Sequence, residues 1–378
     1  MRIAVLGAGA MGSAAARLLA RRTDTEILVL DADEERARGV TADVGLGEAR
    51  SVDLRDTSAS NALMGADAVA VCVPYRLNLE AMELAVAARV PYADLGGLYH
   101  MTLRQLELDA RFREAGVPAV LGVGCCPGIS NVFARLGAER LDDVRSVDLL
   151  DGSIERDAGF GVPYSADTIL DEFVAAAMVF EGGELKEVPA GSGAVRFRFP
   201  DPLGEMEAVY TLHSELATLP RTIRGVRDVR WRLALPPKVA DGFRLLVDLG
   251  LASEDPIDTT AGPVVPRELL HRLLARVPQP DGPPRDVEVL VAIVRGVKEG
   301  RPATFSAWAT FRPTPEGISA GAFGTAIPIV VAARWLAEGR IPPGVHPPES
   351  VLDPDAFLED LAREGVELRL ELEERLTG

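Results

Sequence analysis

The spacing with the clearest chemical content is Gly7-Ala8-Gly9-Ala10-Met11-Gly12. It follows the apolar run 2–6, read as a buried strand, and opens the Ala- and Leu-rich stretch 13–22, read as a helix. A second apolar run, 26–30, ends on Asp31, roughly 20 residues after Gly12. Each residue has a physical task if the loop holds a dinucleotide. Gly7 permits the turn after the strand, Gly9 lets the backbone approach a pyrophosphate, and Gly12 lets the helix pack close to the strand. The helix start, with Ala10 and Met11, offers unpaired N–H groups to that anion. Asp31 stands where a carboxylate binds the ribose hydroxyls. With Asp33 and Glu34 beside it, it repels a 2′-phosphate, so the spacing predicts NAD over NADP.

Proton-handling candidates are few. His100 follows Asp94-Leu95-Gly96-Gly97 at a strand end and titrates near neutral pH, which makes it the general-base candidate, with Tyr99 as its neighbour and alternative. The competing reading of His100 is a surface residue at the start of a helix. His213, with Ser214 and Glu215 behind it, reads as a satisfied polar residue on a sheet, with catalysis as the alternative. Cys125 and Cys126 stand before Pro127-Gly128 and a predicted helix. They read as small buried fillers, or else as thiols of lowered pKa at a helix start. A carboxylate substrate needs a cationic clamp, and the basic stretch from Arg221 to Lys238 supplies the candidates Arg232 and Lys238. Asp157, Asp167 and Glu215 are candidate partners for a substrate ammonium. No HxxxH or CxxC pattern points to a metal, and no GxSxG elbow or Walker loop points to hydrolysis or phosphoryl transfer.

These residues need elements to hold them. Apolar runs at 66–73, 90–95 and 117–123 alternate with helical stretches at 78–88 and 102–115, which predicts a doubly wound parallel sheet, a Rossmann arrangement. Ligands bind such sheets beyond the strand C-termini. That adds Asp53, Val73, Pro74, Tyr75, Gly96, Gly97, Gly124 and Pro127 to the expected cofactor contacts. After residue 141 the pattern becomes alternating, at 144–150, 207–213, 229–235, 286–294 and 303–311, with helices expected at 166–176 and 267–274. The fold class expected is α/β, with a Rossmann domain over 1–125, an α+β substrate and oligomerisation domain over 126–320, and a C-terminal helical segment over 321–378 that packs back on the first domain. Within that last segment, Pro328 is expected only near a bend or first turn, and 341–348 reads as an extended connector. The open second sheet predicts a homodimer or higher homo-oligomer.

Composition bounds the partners. The chain has 378 residues, of which 47% are hydrophobic and 26% charged, with a net charge of −17. That balance argues against nucleic acid or an anionic membrane. No apolar run reaches the roughly 20 residues of a membrane span. Three cysteines make no disulfide framework, so a reducing, cytoplasmic setting is expected.

In the order and spacing of its motifs the chain resembles the saccharopine dehydrogenase superfamily, and within it the lysine 6-dehydrogenases. The motifs are GAGAMG at 7–12, DLGG at 94–97, His100-Met101-Thr102, PGISN at 127–131, ATLP at 217–220, LLVDL at 245–249 and the tail 339–349. The resemblance implies a Rossmann domain joined to an α+β domain. It implies hydride transfer between a nicotinamide and a carbon bearing nitrogen, with a small amine or amino acid as partner and oxidation of the ε-amine of L-lysine as the leading activity. Two alternatives stand beside it: reductive condensation of an amine with a keto acid, and a nucleotide-binding regulatory protein without turnover. The chain departs from the saccharopine reductase pattern at Cys126, where that pattern carries an acid. It departs from the lysine dehydrogenase pattern after Arg230-Trp231-Arg232, where a Gly-His pair is absent.

Overall fold

The structure is a computed structural model that describes residues 1–155, 165–274, 276–277 and 282–374, so Asp157 lies outside the described residues. Seven parallel strands form the first sheet, in the order Gly344–His346, Pro118–Val120, Tyr92–Asp94, Ala68–Val71, Arg2–Leu6, Glu26–Asp31 and Glu48–Ser51. Its central strands are apolar and buried on both faces, as a parallel sheet sandwiched by crossover helices requires. From Arg2–Leu6 the chain winds outward to one side as far as Glu48–Ser51, then to the other from Ala68–Val71 onward. The reversal leaves a crevice at the C-terminal ends of Arg2–Leu6 and Ala68–Val71.

The second sheet also has seven strands, in the order Glu367–Glu374, Arg301–Phe311, Asp286–Lys298, Asp143–Glu155, Asp228–Ala234, Ala177–Glu181 and Glu184–Val188. Only Asp143–Glu155 and Asp228–Ala234 run parallel, so the sheet is mixed. Val147, Leu149, Val229, Trp231, Leu290, Ala292 and Val294 line the face turned to the first domain and share one apolar core with it. Each such fully buried large side chain contributes about 1.5–3 kcal/mol of transfer free energy.

The C-terminal segment departs from its expected form. Helix Ala320–Ala337 lies between the two sheets, packed on helix Ala10–Ala20 and on strand Ala68–Val71. It is apolar and buried nearly all round, so Pro328 sits in its interior; packing there outweighs the one backbone bond that a proline removes. Among the described residues it is the one helix long and apolar enough to cross a membrane, and 72% of it is buried inside the protein. The expected connector contains a strand, Gly344–His346, which extends the first sheet. After helix Pro354–Arg363 the chain does not stay with the first domain: Glu367–Glu374 pairs with Arg301–Phe311 in the second sheet. Its Glu- and Leu-rich composition favours a helix, yet Leu368, Leu370 and Leu372 alternate with charged residues at the period of a strand. Helices Glu215–Thr222 and Pro237–Asp248 and the short polar edge strand Glu48–Ser51 are further elements that periodicity did not mark.

Helix Ile129–Arg140 carries the chain from one sheet to the other and packs flat on the second. Gly137 allows this: a Cβ there would lie 2.5 Å from Val294 Cγ2 and 2.8 Å from Phe305 Cδ1. Gly137→Ala is therefore expected to cost about 1–3 kcal/mol of stability through overpacking. A lower urea midpoint with unchanged nucleotide affinity is the outcome that checks it.

Candidate functional site

The glycine loop has the geometry of an anion cradle. Gly7 has φ +103°, and a Cβ on it would meet the Cys72 carbonyl at 2.7 Å. A Cβ on Gly12 would lie 1.7 Å from the Gly7 carbonyl oxygen, so helix and strand approach at a distance only glycine allows. Gly9 faces open space. No side chain caps helix Ala10–Ala20, and the first amide bonded back is that of Ser13, to the Gly9 carbonyl at 2.9 Å. The amides of Ala10, Met11 and Gly12 are thus left for a ligand. Asp31 accepts from the Ala8 amide at 2.7 Å and from the Asp33 amide at 2.9 Å, which ties the loop to the end of the neighbouring strand. The donors fit a dinucleotide.

Other expected cofactor contacts have structural partners. Asp53 is exposed and accepts from the Arg55 amide within its own turn. Val73 and Pro74 continue from Cys72, which backs onto Gly7. Tyr75 reaches away from the loop: its hydroxyl donates to Asp171 at 2.6 Å, and Arg76 pairs with the same carboxylate, joining the first domain to helix Ala166–Val174. Burial, then the bond to Asp171, holds the Tyr75 phenol well above its ordinary pKa.

Asp94 organises the next strand end. Its buried carboxylate accepts from Tyr92, Gln105, the Gly96 amide and the Gly122 amide, at 2.8, 2.5, 2.9 and 2.6 Å. Burial still raises its pKa above the usual carboxylate range. Pro127 wedges between Gly96 and Gly122, where a Cβ would lie 2.7 and 2.8 Å from its ring. Gly97 precedes helix Leu98–Leu106, and the Gly124 amide closes onto the Pro127 carbonyl at 2.7 Å. These residues shape the rim of the crevice.

Beyond the rim lies a buried polar junction. Ser130 donates to Glu215 Oε1 at 2.6 Å, and Asn131 donates to Glu349 Oε2 at 2.9 Å. Thr222 donates to Glu349 Oε1 at 3.0 Å. Glu215 Oε2 pairs with Nδ1 of His213, whose ring stacks on Trp231 with centroids 4.0 Å apart. Burial works against the charged imidazole, but the Glu215 carboxylate outweighs it and holds the His213 pKa above its ordinary value. Nδ1 is committed, so Nε2 is the nitrogen left for a substrate.

An acidic patch adjoins this junction. Asp151 and Glu288 sit on neighbouring strands of the second sheet, on the face turned to the first domain and two residues apart in register, Asp151 opposite Leu290 and Glu288 opposite Ser153. Glu288 accepts from Cys125. One oxygen of Asp151 has no hydrogen-bond partner although the residue is only 9% exposed. Among the described residues neither carboxylate has an ion pair with lysine or arginine. Burial, with the other acids near it, pushes Asp151 well above the usual carboxylate range, and Glu288 rises to about 7. Burial likewise raises the Cys125 and Cys126 thiols well above their ordinary value. Cys125 is buried, as its reading as a filler has it, and Cys126 is half-buried.

The candidates picked from sequence fall in different places. Tyr99 is buried in the core, and His100 is exposed on helix Leu98–Leu106 with only an edge contact to Tyr99. Arg232 alternates with Trp231 on its strand and so points to the far face of the sheet. There it donates to Tyr210 at 2.6 Å and to the Gly193 carbonyl at 3.0 Å, with its guanidinium over the Tyr210 ring. Lys238 is exposed at the start of helix Pro237–Asp248. His100 and Lys238 thus stand exposed on separate helices while Arg232 faces Tyr210, so the structure does not draw these three candidates into one cluster. Asp167 is occupied by Arg267. A cavity of about 320 Å³ lined by Phe173, Leu233, Ala240 and Arg244 lies under that same helix and includes none of Asp151, His213, Glu215 or Glu288. Asp151, Glu288 and Glu349 were missed from sequence. The available signal was an acid at an inward-facing position of an otherwise apolar alternating strand, as in Val147, Leu149, Asp151.

Comparison with known proteins agrees with this geometry. The saccharopine dehydrogenase NADP binding domain profile matches residues 3–120, and the saccharopine dehydrogenase C-terminal domain profile matches 124–366. A carboxynorspermidine synthase of Vibrio alginolyticus is 27% identical over 343 residues, covering 85% of this chain and 82% of that protein. A carboxyaminopropylagmatine dehydrogenase of a Synechocystis species is 22% identical over 388 residues, covering 97% and 96%. The apo structure of an L-Glu-forming saccharopine dehydrogenase from Saccharomyces cerevisiae superposes with a TM-score of 0.78 at 17% identity, over 98% of this chain and 99% of that one, and shares its fold.

Glu215→Gln removes the charge that holds the His213 proton while burial stays, so the His213 pKa is expected to fall below about 6.5. NMR titration of the ring reads this directly. The wild-type pair contributes stability that is fully present below about pH 6.5 and is lost as pH rises through the raised native value. The variant should lack that dependence.

Proposed function

The chain belongs to the saccharopine dehydrogenase family, and we propose that it is a nicotinamide-nucleotide-dependent oxidoreductase that makes or breaks a C–N single bond of a cationic amine. The observation that carries this reading is the pair Asp151 and Glu288 beside the His213–Glu215 dyad. A buried and a half-buried acid with no lysine or arginine ion pair among the described residues, the buried one with an unsatisfied oxygen, call for a positive ligand.

The names of the relatives favour condensation over simple deamination of L-lysine. Carboxynorspermidine is a carboxylated triamine, and disconnecting it at a secondary amine gives a short diamine and a carboxylated carbonyl compound. In that direction the unprotonated amine attacks the carbonyl carbon, water leaves, and the resulting imine takes a hydride at carbon and a proton at nitrogen. The nicotinamide supplies the hydride, or removes it in reverse. The chain's own residues do the rest. Asp151 and Glu288 hold the amine's cationic groups. His213, turned by Glu215, presents Nε2 to move the proton that departs with water. Of the two nucleotides we favour NAD, because Asp31 lies beside the glycine loop where a 2′-phosphate would meet its charge.

Oxidation of NADH is expected with a short diamine plus a carboxylated aldehyde or 2-keto acid, with the secondary amine as product by mass. Asp151→Asn should raise KM for the amine by about 10-fold or more while nucleotide affinity is unchanged, as lost charge-assisted binding predicts. Turnover on L-lysine alone, with no carbonyl partner, would replace condensation by deamination. Nucleotide binding with silence across both panels would sink the enzymatic reading. Separately, Asp31→Ser should raise the NADP-to-NAD ratio of kcat/KM by about 10-fold through relief of repulsion. An unchanged ratio would remove Asp31 from cofactor choice.

A further inference from the structure

We propose that Cys125, Cys126 and Asp151 form a three-ligand binding site for a thiophilic divalent cation such as Zn²⁺. The Sγ atoms of the two cysteines lie 3.6 Å apart, and a carboxylate oxygen of Asp151 lies within 4.8 Å of both. A tetrahedral zinc ion with Zn–S near 2.3 Å and Zn–O near 2.0 Å sets its ligands about 3.8 Å apart for two sulfurs and about 3.5 Å apart for sulfur and oxygen. The sulfur pair is close to that separation, and the carboxylate needs to close by at most about 1.3 Å. A second observation points the same way: Asp151, nine-tenths buried, carries an oxygen with no hydrogen-bond partner.

The ligand chemistry selects the ion. Two thiolates and a carboxylate suit Zn²⁺ or Co²⁺ and disfavour Mg²⁺ and Ca²⁺, which take oxygen ligands alone. Release of two thiol protons balances the dication, so the ion adds no net charge to a patch in which, among the described residues, no lysine or arginine pairs with Asp151, Glu215 or Glu288. Both thiols must lose their protons to bind, which makes affinity rise with pH. The loop that presents the cysteines is held independently of the cation. The Gly124 amide bonds to the Pro127 carbonyl at 2.7 Å and the Gly128 amide to Asn131 Oδ1 at 3.1 Å, so the two sulfurs are placed before any ion arrives. If the proposed function holds, the cation and the substrate ammonium compete for Asp151, and Zn²⁺ is an inhibitor competitive with the amine. That last clause rests on the amine reading; the binding itself does not.

The full chain, freed of metal by a chelator, is titrated with Co²⁺ and then with Zn²⁺. One equivalent of Co²⁺ is expected to give a sulfur-to-cobalt charge-transfer band that Zn²⁺ abolishes, and bound Zn²⁺ should protect Cys125 and Cys126 from alkylation as read by peptide mass. Cys126→Ser should weaken Zn²⁺ binding by about 100-fold, and Asp151→Asn by about 10-fold with the charge-transfer band retained, both with nucleotide affinity intact as the folding control. Absence of the band in the wild type overturns the site, as does Zn²⁺ affinity unchanged in Cys126→Ser. Should either variant fail to fold, the wild-type band and the alkylation map decide alone. Zn²⁺ that binds but does not raise KM for an accepted amine leaves the site standing and removes the shared carboxylate.

Discussion

The junction of the two domains depends on two buried carboxylates, Glu215 and Glu349, that are kept only because hydrogen-bond donors reach them from far along the chain. A carboxylate removed from water without partners costs several kcal/mol or more, so each must be satisfied or neutralised. Ser130 and Asn131 come from the helix that leaves the nucleotide domain, Thr218 and Thr222 from a helix of the second domain, and Glu349 from the C-terminal return. Three distant segments therefore have one low-energy arrangement. The same bonds fix the orientation of His213, because Glu215 holds Nδ1 on one oxygen while Ser130 occupies the other. Site geometry and domain packing are here one set of interactions.

The rest of the architecture follows from placing that junction beyond the strand ends of a parallel sheet. Asp94 gathers the rim by accepting from the amides of two loops, at Gly96 and Gly122, and from the side chains of Asn78, Tyr92 and Gln105, and the wedge of Pro127 between Gly96 and Gly122 sets where helix Ile129–Arg140 begins. Helix Ala320–Ala337 fills the space between the sheets with apolar surface, and Gly344–His346 and Glu367–Glu374 then stitch the same C-terminal segment into both sheets. Tyr75 and Arg76 reach across to Asp171 on the other side of the crevice. The two halves are thus held at both ends of the cleft, by the C-terminal return and by a hydroxyl and a guanidinium sharing one carboxylate.

The nucleotide end was legible from sequence because its requirements are local. Gly7, Gly9, Gly12 and Asp31 belong to one strand–helix–strand unit, and each steric reason operates within that unit. The substrate end was not, because its residues meet only through sheet pairing and helix docking. Asp151 and Glu288 are far apart in the chain and become neighbours only in the register of two antiparallel strands. Arg232 looked like a clamp because it lies in a basic stretch. Strand parity decides otherwise: Trp231 faces the cleft and stacks on His213, so Arg232 cannot. His100 was favoured for its place after a strand end, but a helix begins at Leu98 and turns it to solvent, while His213, read as a satisfied residue on a sheet, lies in the loop between strand Glu205–Ala208 and helix Glu215–Thr222 and is held there by a buried acid. The C-terminal strand was lost to a composition that favours helix although its leucines alternate.

The acidic patch is better explained by function than by stability. Asp94, Glu215 and Glu349 show how this protein treats a buried acid it needs for structure, since each is bonded through both oxygens. Asp151 stands on the same kind of interior face and is left with an oxygen unpaired, next to Glu288, which burial raises to about 7. Apolar replacements of similar volume would satisfy the surrounding core of Val147, Leu149, Leu290 and Ala292 at lower energetic cost. A destabilising arrangement confined to the crevice where a nucleotide domain meets its partner domain is what a site for a positively charged ligand requires. Among the described residues no lysine or arginine pairs with Asp151 or Glu288, so the binding free energy of a positive ligand offsets a penalty that these acids carry without one.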